Sequence, residues 1–390
     1  MSEDMEKMDK WAPLKADAEE REKLWSKSLS FGQDVWYRFS HKPTALLGLI
    51  LLVLLVLFCV VGPQMVSHSY ETQNLDFVNM PPSFKAYEVD GRYIYLTPSL
   101  KLIEVAPDGT LMKPLARLED DGMKKRMTFD MGDGTEIILN YKTKPPRLEN
   151  AQKEPYTVFK SFRNKTYPLG TDNLGRDMLI RLMMGMRISM LIALIAAFVN
   201  LVIGILYGGI SAYAGGMTDT IMMRIVDVVS TIPLTLYVIL LQVMMGSNGG
   251  ILSIVIALGT VYWVNMARVV RGEILSLKEQ EFVYAARTLG SSTWRILTTH
   301  LIPNAMGPII VTVTMLIPSA IFIEAFMSFI GLGVMAPMAS LGTMCNDALS
   351  TLRSSPYQLF LPSLAICLVM FAFNFVGDGL RDALDPKLRK

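Results

Sequence analysis

Glu281-Phe-Val-Tyr-Ala-Ala-Arg-Thr-Leu-Gly290, closing at His300-Leu-Ile-Pro303, is a charged, glycine-stopped segment set between two very hydrophobic ones. The whole polar excursion, residues 268–302, reads as two short helices. Phe282, Ala285, Ala286 and Leu289 fall at i, i+3, i+4 and i+7 and make one modest apolar stripe. Glu279 and Glu281 enter the first turn, where carboxylates suit the helix dipole, and Gly290 supplies a left-handed stop. Ser292 then N-caps a second helix that runs through Thr299 and ends before Pro303. A small, alanine-faced helix on a water-exposed loop fits closely into a groove on another protein, so this loop reads as a docking device.

Outward from that loop, composition sets the surroundings. The chain of 390 residues is 51% hydrophobic, and several runs reach the ~20 apolar residues that cross a bilayer as helix. A net charge of +2 gives no sign of nucleic-acid binding. Cys59 and Cys367 lie inside apolar runs and Cys345 in a loop, so no disulfide framework is expected. The polar stretch 1–43 is too long for a signal-peptide n-region, which makes the first span an uncleaved anchor.

Six spans are expected, at 44–66, 187–213, 220–245, 251–270, 304–331 and 358–379. Val35 to Phe39, with Trp36 and Tyr37, suits an interfacial helix ahead of the first. Residues 67–185 differ: Asp108-Gly109 and Asp133-Gly134 separate runs such as Leu102–Val105 and Glu136–Tyr141, the pattern of short strands joined by hairpin turns. The fold class expected is therefore an all-α polytopic membrane protein of six transmembrane helices, with a small β-rich extracytoplasmic domain inserted between helices 1 and 2. Its parts are a cytoplasmic segment 1–43, the first helix 44–66, the insert and linker 67–185, a five-helix core 186–380 containing the loop 272–302, and a tail 381–390. Gly204 and Gly208 have the small-xxx-small spacing that admits a close neighbouring helix, although glycine is also simply tolerated in membrane helices. Arg268, Arg271, Lys278, Arg287 and Arg295 in the central loop, and Arg381, Lys387, Arg389 and Lys390 in the tail, place both termini in the cytoplasm.

Ala285-Ala286, Gly290 and Pro303 resemble the cytoplasmic "EAA" signature of ABC-importer permeases. Tyr284 stands where that signature usually has Glu, but Glu281 to Gly290 fits the peptide-importer variant E-F/Y-V-x-A-A-R-x-L-G. Gly170-Thr-Asp-Asn-Leu-Gly-Arg-Asp177 resembles the GTD-x-x-GRD segment of the same branch. Met223-Arg224 with Asp227, Glu324-Ala325 with Ser328-Phe329-Ile330-Gly331-Leu332-Gly333, and Gly377 to Pro386 resemble further stretches of it. The resemblance covers 170–386 and the N-terminal anchor, and is to the C-type permease subunits of the dipeptide/oligopeptide/nickel ABC importers. It implies a type I importer permease fold and translocation of oligopeptides or dipeptides across a bacterial cytoplasmic membrane by alternating access. It also implies the partners: a second homologous permease, two ATPase subunits docking on 272–302, and an extracytoplasmic substrate-binding protein. ATP and Mg would sit on the ATPase subunits. This chain has no G-x-x-x-x-G-K-[ST] run and is expected to bind no cofactor or metal and to catalyse nothing. One departure is large, because the family pattern has a much shorter segment between the first two spans.

The remaining candidates keep two readings each. Gly170, Thr171, Asp172, Gly175, Arg176 and Asp177 shape an external gate or binding-protein contact, or form a polar turn in which Asp172 and Asp177 balance Arg176. Arg224 and Asp227 are i, i+3 ion-pair partners, and Asp227 is also a pore candidate. Glu324 is a carboxylate well inside a span, beyond the kink expected at Pro318; it serves gating or a packed hydrogen-bond network. His300 is expected to be a packing or hydrogen-bonding group. An ion- or proton-coupled secondary carrier is the competing reading. It would call for internal repeats and more buried ionisable groups, and the only histidines are His41, His68 and His300.

Overall fold

Pro43, whose missing N–H costs nothing in a first helical turn, starts the first apolar helix. The computed structural model describes residues 30–66, 68–132, 134–245, 250–334 and 337–385; expectations placed on 1–29, Asp133 and 386–390 lie outside these. A short helix, α1 (Phe31–Ser40), leads into α2 (Pro43–Val60). Val35 and Phe39 of α1 turn inward while Trp36 and Tyr37 stay exposed, the amphipathic split expected of an interfacial helix. The predicted span 44–66 ends at Val60 instead, and a separate turn, α3 (Gly62–Met65), follows with Pro63 at its start.

The next apolar helix, α4 (Met178–Ala214), has 37 residues and rises about 55 Å, well beyond the ~30 Å hydrocarbon core. It begins nine residues before the predicted 187, because Asp177 N-caps it by accepting from Leu179 N–H at 2.8 Å. The predicted third span is broken: α5 (Gly216–Thr231) and α6 (Leu234–Met245) meet at 80° across Pro233, which cannot donate an N–H to a continuous helix. Helices α7 (Gly250–Val261) and α8 (Trp263–Leu277) together form the fourth apolar stretch, so Arg268 and Arg271 lie on a helix and not in the loop.

After α9 (Glu281–Thr288), the chain runs without interruption from α10 (Thr293–Arg295) through a π-helical stretch, Ile296–Leu301, into α11 (Ile302–Phe329). The second loop helix therefore does not stop before Pro303. Ser292 caps its start, but Ile302 N–H bonds back to Leu297 O, and the wider π turn leaves Pro303 at the beginning of a new α-helical register where no donor is needed. A short helix α12 (Leu341–Asp347), held by a Ser340/Thr343 capping box, and α13 (Tyr357–Leu384) complete the bundle. Among the described residues, five helical stretches are long and apolar enough to cross a membrane, or six if the bent pair is one span.

Between α2 and α4 lie two antiparallel sheets, ordered β4-β3-β2-β1-β9 and β5-β6-β7-β8. Their strands are β1 (Ser83–Val89), β2 (Arg92–Leu96), β3 (Leu102–Val105), β4 (Leu111–Pro114), β5 (Ala116–Asp121), β6 (Arg126–Asp130), β7 (Glu136–Asn140), β8 (Arg147–Glu149) and β9 (Phe159–Arg163). The predicted runs 102–105 and 136–141 are β3 and β7, and Gly109 takes the positive φ of 91° that its turn requires. Strand alternation divides β1 between two cores. Phe84 and Ala86 join Met80, Tyr95 and Phe162, while Tyr87 and Val89 join Phe129, Ile137, Leu139 and Leu148 of the second sheet.

Close helix packing explains the paired glycines. A Cβ on Gly204 would stand 2.4 Å from Met266 Cγ, and one on Gly208 2.4 Å from Ala267 O, so both are contact points for α8. The C-terminal Gly377–Asp385 segment lies on the last turns of α13, where Gly379 meets Ala45 and Asp382 pairs with Lys42 at 2.5 Å.

Candidate functional site

The loop helix α9 sits at the end of the bundle away from the sheets. Val283 and Ala286 are its buried residues, seated with Ala212, Ile274, Ile296 and Leu297. Phe282, Ala285 and Leu289 point outward, Leu289 at 85% exposure, together with Tyr284 and Trp294. The expected stripe is thus divided: Ala286 holds the helix to its own bundle, and Phe282, Ala285 and Leu289 form the open apolar face. Gly290, at φ 78°, closes a Schellman motif in which Ser291 N–H bonds Ala286 O and Gly290 N–H bonds Arg287 O. Glu281 occupies the first turn, but Glu279 lies ahead of the helix and accepts the Tyr284 hydroxyl at 2.8 Å. That carboxylate holds the Tyr284 phenol above its ordinary pKa. Arg287 lies over Tyr213, 5.4 Å from the ring centre, and so links α9 to the end of α4. His300 is half-buried in the π stretch, and its carbonyl accepts from Asn304 Nδ2 at 2.6 Å.

Ion pairs tie this seat to the broken span. Arg271 donates to both oxygens of Asp219, at 2.6 and 2.5 Å, and Ser211 adds a hydroxyl at 2.5 Å. Lys278 donates to Ala212 O at 3.1 Å. Asp227 pairs with Arg268 at 3.1 Å and only loosely with Arg224 at 3.7 Å, all three exposed. The sequence suggested the Arg224 pair; the closer partner is forty-one positions away and carries no local signal.

Gly170–Asp177 is a buried hub at the sheet-bearing end. Thr171 N–H bonds Met80 O at 2.9 Å, its hydroxyl donates to Phe77 O, and Asn79 N–H bonds Asp172 O at 2.9 Å. The Tyr357 hydroxyl donates to Met80 O or Thr171 O, lying within 2.8 Å of both, and Gln358 reaches Asn79 and Thr171 O. Gly170 and Gly175 have no room for a side chain: a Cβ would meet Met80 O at 2.3 Å and Asn74 O at 1.8 Å, with φ of 80° and 71°. Asp172 accepts from Arg176 Nε at 2.7 Å and from Arg181, and Asp347 Oδ2 accepts from Nη2 of both arginines at 3.2 Å. Asp177 accepts from His68 Nδ1 at 3.1 Å; burial pushes its carboxyl above the usual range, opposed by the Leu179 N–H and His68. The ion pair of the polar-turn reading is present, and Asp172 is the acid that balances Arg176. Arg181, Asp347, His68, Tyr357 and Gln358 were not singled out from sequence.

Glu324 is fully buried between α4, α11 and α12. Ser189 donates to its Oε2 at 2.6 Å and Ser328 to its Oε1 at 2.8 Å, while Leu341 N–H bonds Ser189 Oγ at 3.3 Å. It is a packed hydrogen-bond partner that ties three elements together. Pro318 is buried inside α11, and next to it the Ser319 hydroxyl caps Met315 O at 3.2 Å.

The profile of the family described as "Binding-protein-dependent transport system inner membrane component" matches residues 200–390, and that of the "N-terminal TM domain of oligopeptide transport permease C" matches residues 30–82. The oligopeptide transport system permease protein OppC of Bacillus subtilis is 39% identical over 97% of both chains. The dipeptide transport system permease protein DppC of that organism is 36% identical over 98% of this chain and 94% of its own. The OppC protein of Haemophilus influenzae is 46% identical over 56% of this chain and 70% of its own. The segment 67–185 that exceeds the family pattern is therefore accommodated in the two Bacillus relatives, whose alignments leave almost none of this chain unmatched. Among solved structures, a chain of the MetNI methionine ABC transporter aligns with a TM-score of 0.44 and 19% identity over 53% of this chain and 98% of its own. The chain belongs to the binding-protein-dependent transport system inner membrane components, in the branch of the oligopeptide and dipeptide permeases.

Proposed function

We propose that this chain is one permease half of an ATP-driven importer that carries oligopeptides or dipeptides inward across a bacterial cytoplasmic membrane. The observation that carries the reading is α9: a short helix seated by Val283 and Ala286, stopped by Gly290, and presenting Phe282, Ala285 and Leu289 to a partner. Each of two ATPase subunits, holding ATP and Mg, docks on such a loop, one here and one on a second, homologous permease. Movement of the docked ATPase passes into α11 through the continuous π stretch, into α4 through Arg287 and Lys278, and from α8 into the broken span at α5 through Arg271 and Asp219. The two halves then rock between inward- and outward-open arrangements. Both termini lie in the cytoplasm, the bent pair α5–α6 is the third of six spans, and the sheets form an extracytoplasmic domain facing the substrate-binding protein. The chain itself performs no catalysis.

The test is uptake into proteoliposomes that contain this chain with its co-expressed permease and ATPase partners and its binding protein. Vanadate-sensitive accumulation of a labelled peptide that requires internal or external ATP on the ATPase side is expected. Accumulation driven by an ion gradient without ATP would overturn the proposal.

A further inference from the structure

Beside the Gly170–Asp177 hub lies a cavity of about 240 Å³, lined by Arg176, Arg181 and Asp347 together with Ser328, Gly333 and Thr343. Arg181 is the unusual member. Its side chain is 3% exposed, Nη1 is engaged by Asp172 and Nη2 by Asp347 at 3.2 Å, yet Nε has no acceptor among the described residues. Nε and Nη2 form one edge of the planar guanidinium, the edge that takes both oxygens of a carboxylate in the bidentate geometry. Asp347 uses only one donor of that edge, at a long distance, and shares the same Oδ2 with Arg176 Nη2 at 3.2 Å. Its side chain is 36% exposed and stands where α12 gives way to a 3-10 turn, so it can leave for water without dismantling a core. Two arginines face two aspartates here. A third carboxylate added to the quartet is disfavoured by charge, but one exchanged for Asp347 keeps the balance.

We propose that this cavity receives the terminal carboxylate of the transported peptide, with Asp347 as the resident group that it displaces. The inference rests on the peptide-transport reading above and adds the subsite. The free C-terminus takes the Arg181 Nε–Nη2 edge, and the Thr343 hydroxyl and the glycine turn at 331–333 surround it. Asp172 stays in place, because it also accepts from Leu174 N–H and Arg176 N–H at 2.9 Å and holds the hub together.

The test uses the purified complex of both permeases and both ATPases in nanodiscs, without binding protein. Equilibrium binding is measured for a labelled tripeptide with a free C-terminus and for its C-terminal amide. The wild-type complex should prefer the acid. Asp347→Asn should tighten the acid about tenfold and leave the amide unchanged, and Arg181→Lys should abolish the preference. Asp347→Asn is isosteric and partly exposed, so it keeps the test open if Arg181→Lys fails to assemble. Acid and amide binding alike in both the wild type and Asp347→Asn overturns the proposal and leaves the quartet a purely structural network. In a parallel titration with the binding protein added, an effect of Asp347→Asn confined to the affinity of that protein for the complex also overturns it, in favour of an acidic side chain of that protein. Uptake assays on the same preparations separate the two levels: peptide transport that persists without any acid preference sinks the subsite alone, whereas absence of ATP-driven uptake sinks the transport reading.

Discussion

At the scale of single residues, the hub after the sheets shows how little freedom a motif can have. Gly175 combines a φ of 71° with a Cβ position 1.8 Å from Asn74 O, so Gly175→Ala meets both backbone strain and a carbonyl that cannot move alone. We expect a loss of about 2–4 kcal/mol, read as a lowered melting temperature of the purified complex. Asp177 makes a pH prediction. Its folded carboxyl is raised by burial, so the stability linked to its proton is present at acid pH and is lost as pH rises through that raised range. Asp177→Asn keeps the N-cap acceptor and removes the buried charge. The melting temperature of the wild type relative to Asp177→Asn should therefore be higher in mildly acid than in neutral buffer. A difference that is flat or runs the other way would show that the charged cap is not the burden inferred here.

At the scale of elements, α9 was legible because everything that defines it is local: a polar start, an alanine pair and Gly290 at fixed spacing. The inward and outward faces were not, since Val283 and Phe282 are equally apolar and only neighbours brought in by the fold, Ala212, Ile274, Ile296 and Leu297, decide which is buried. This division makes two alanines next to each other behave differently. Ala285→Glu lies on the exposed face and should leave stability within about 0.5 kcal/mol while reducing ATPase co-purification. Ala286→Glu forces a charge into the seat and should lower the melting temperature first, with docking lost as a consequence. Equal effects of the two on both measurements would mean that α9 does not dock through its open face. Longer-range features left no mark on the sequence. The run 292–303 reads as a helix ended by proline, because a π register that tolerates Pro303 has no residue signature. Arg181 paired with Asp347 across 166 positions, and His68 with Asp177 across 109, need the folded chain to bring them together.

At the scale of the whole molecule, the two sheets are not an appendage on a flexible tether. The backbone between Asn74 and Met80 is stitched to Thr171 and Asp172, and Tyr357 and Gln358 of α13 reach across to the same carbonyls. Movement at the start of α4 or α13 is thereby delivered to the sheets, and contact with the sheets is delivered back. The second sheet ends in the β5–β6 hairpin, where all of β5 except Asp121 is exposed, Leu118 is 56% exposed and Met123 at the turn is 97% exposed. Met123 stands alone among the charged residues Asp120, Asp121, Lys124 and Lys125 of that tip, and its exposure on the part of the molecule proposed to face the binding protein makes it a position for a probe. Met123→Cys, in a background with the exposed Cys367 replaced by Ser, gives a single accessible thiol, since Cys59 and Cys345 are buried. A short bifunctional crosslinker should join it to the binding protein in the assembled importer, and the yield should change when the ATPase subunits are trapped with vanadate, because the stitched hub moves with α4. Full transport with no adduct to the binding protein in either state would remove the sheets from the delivery path. They would then be left to brace α4 against α13, the one role for which the Met80–Thr171–Gln358 contacts are by themselves sufficient.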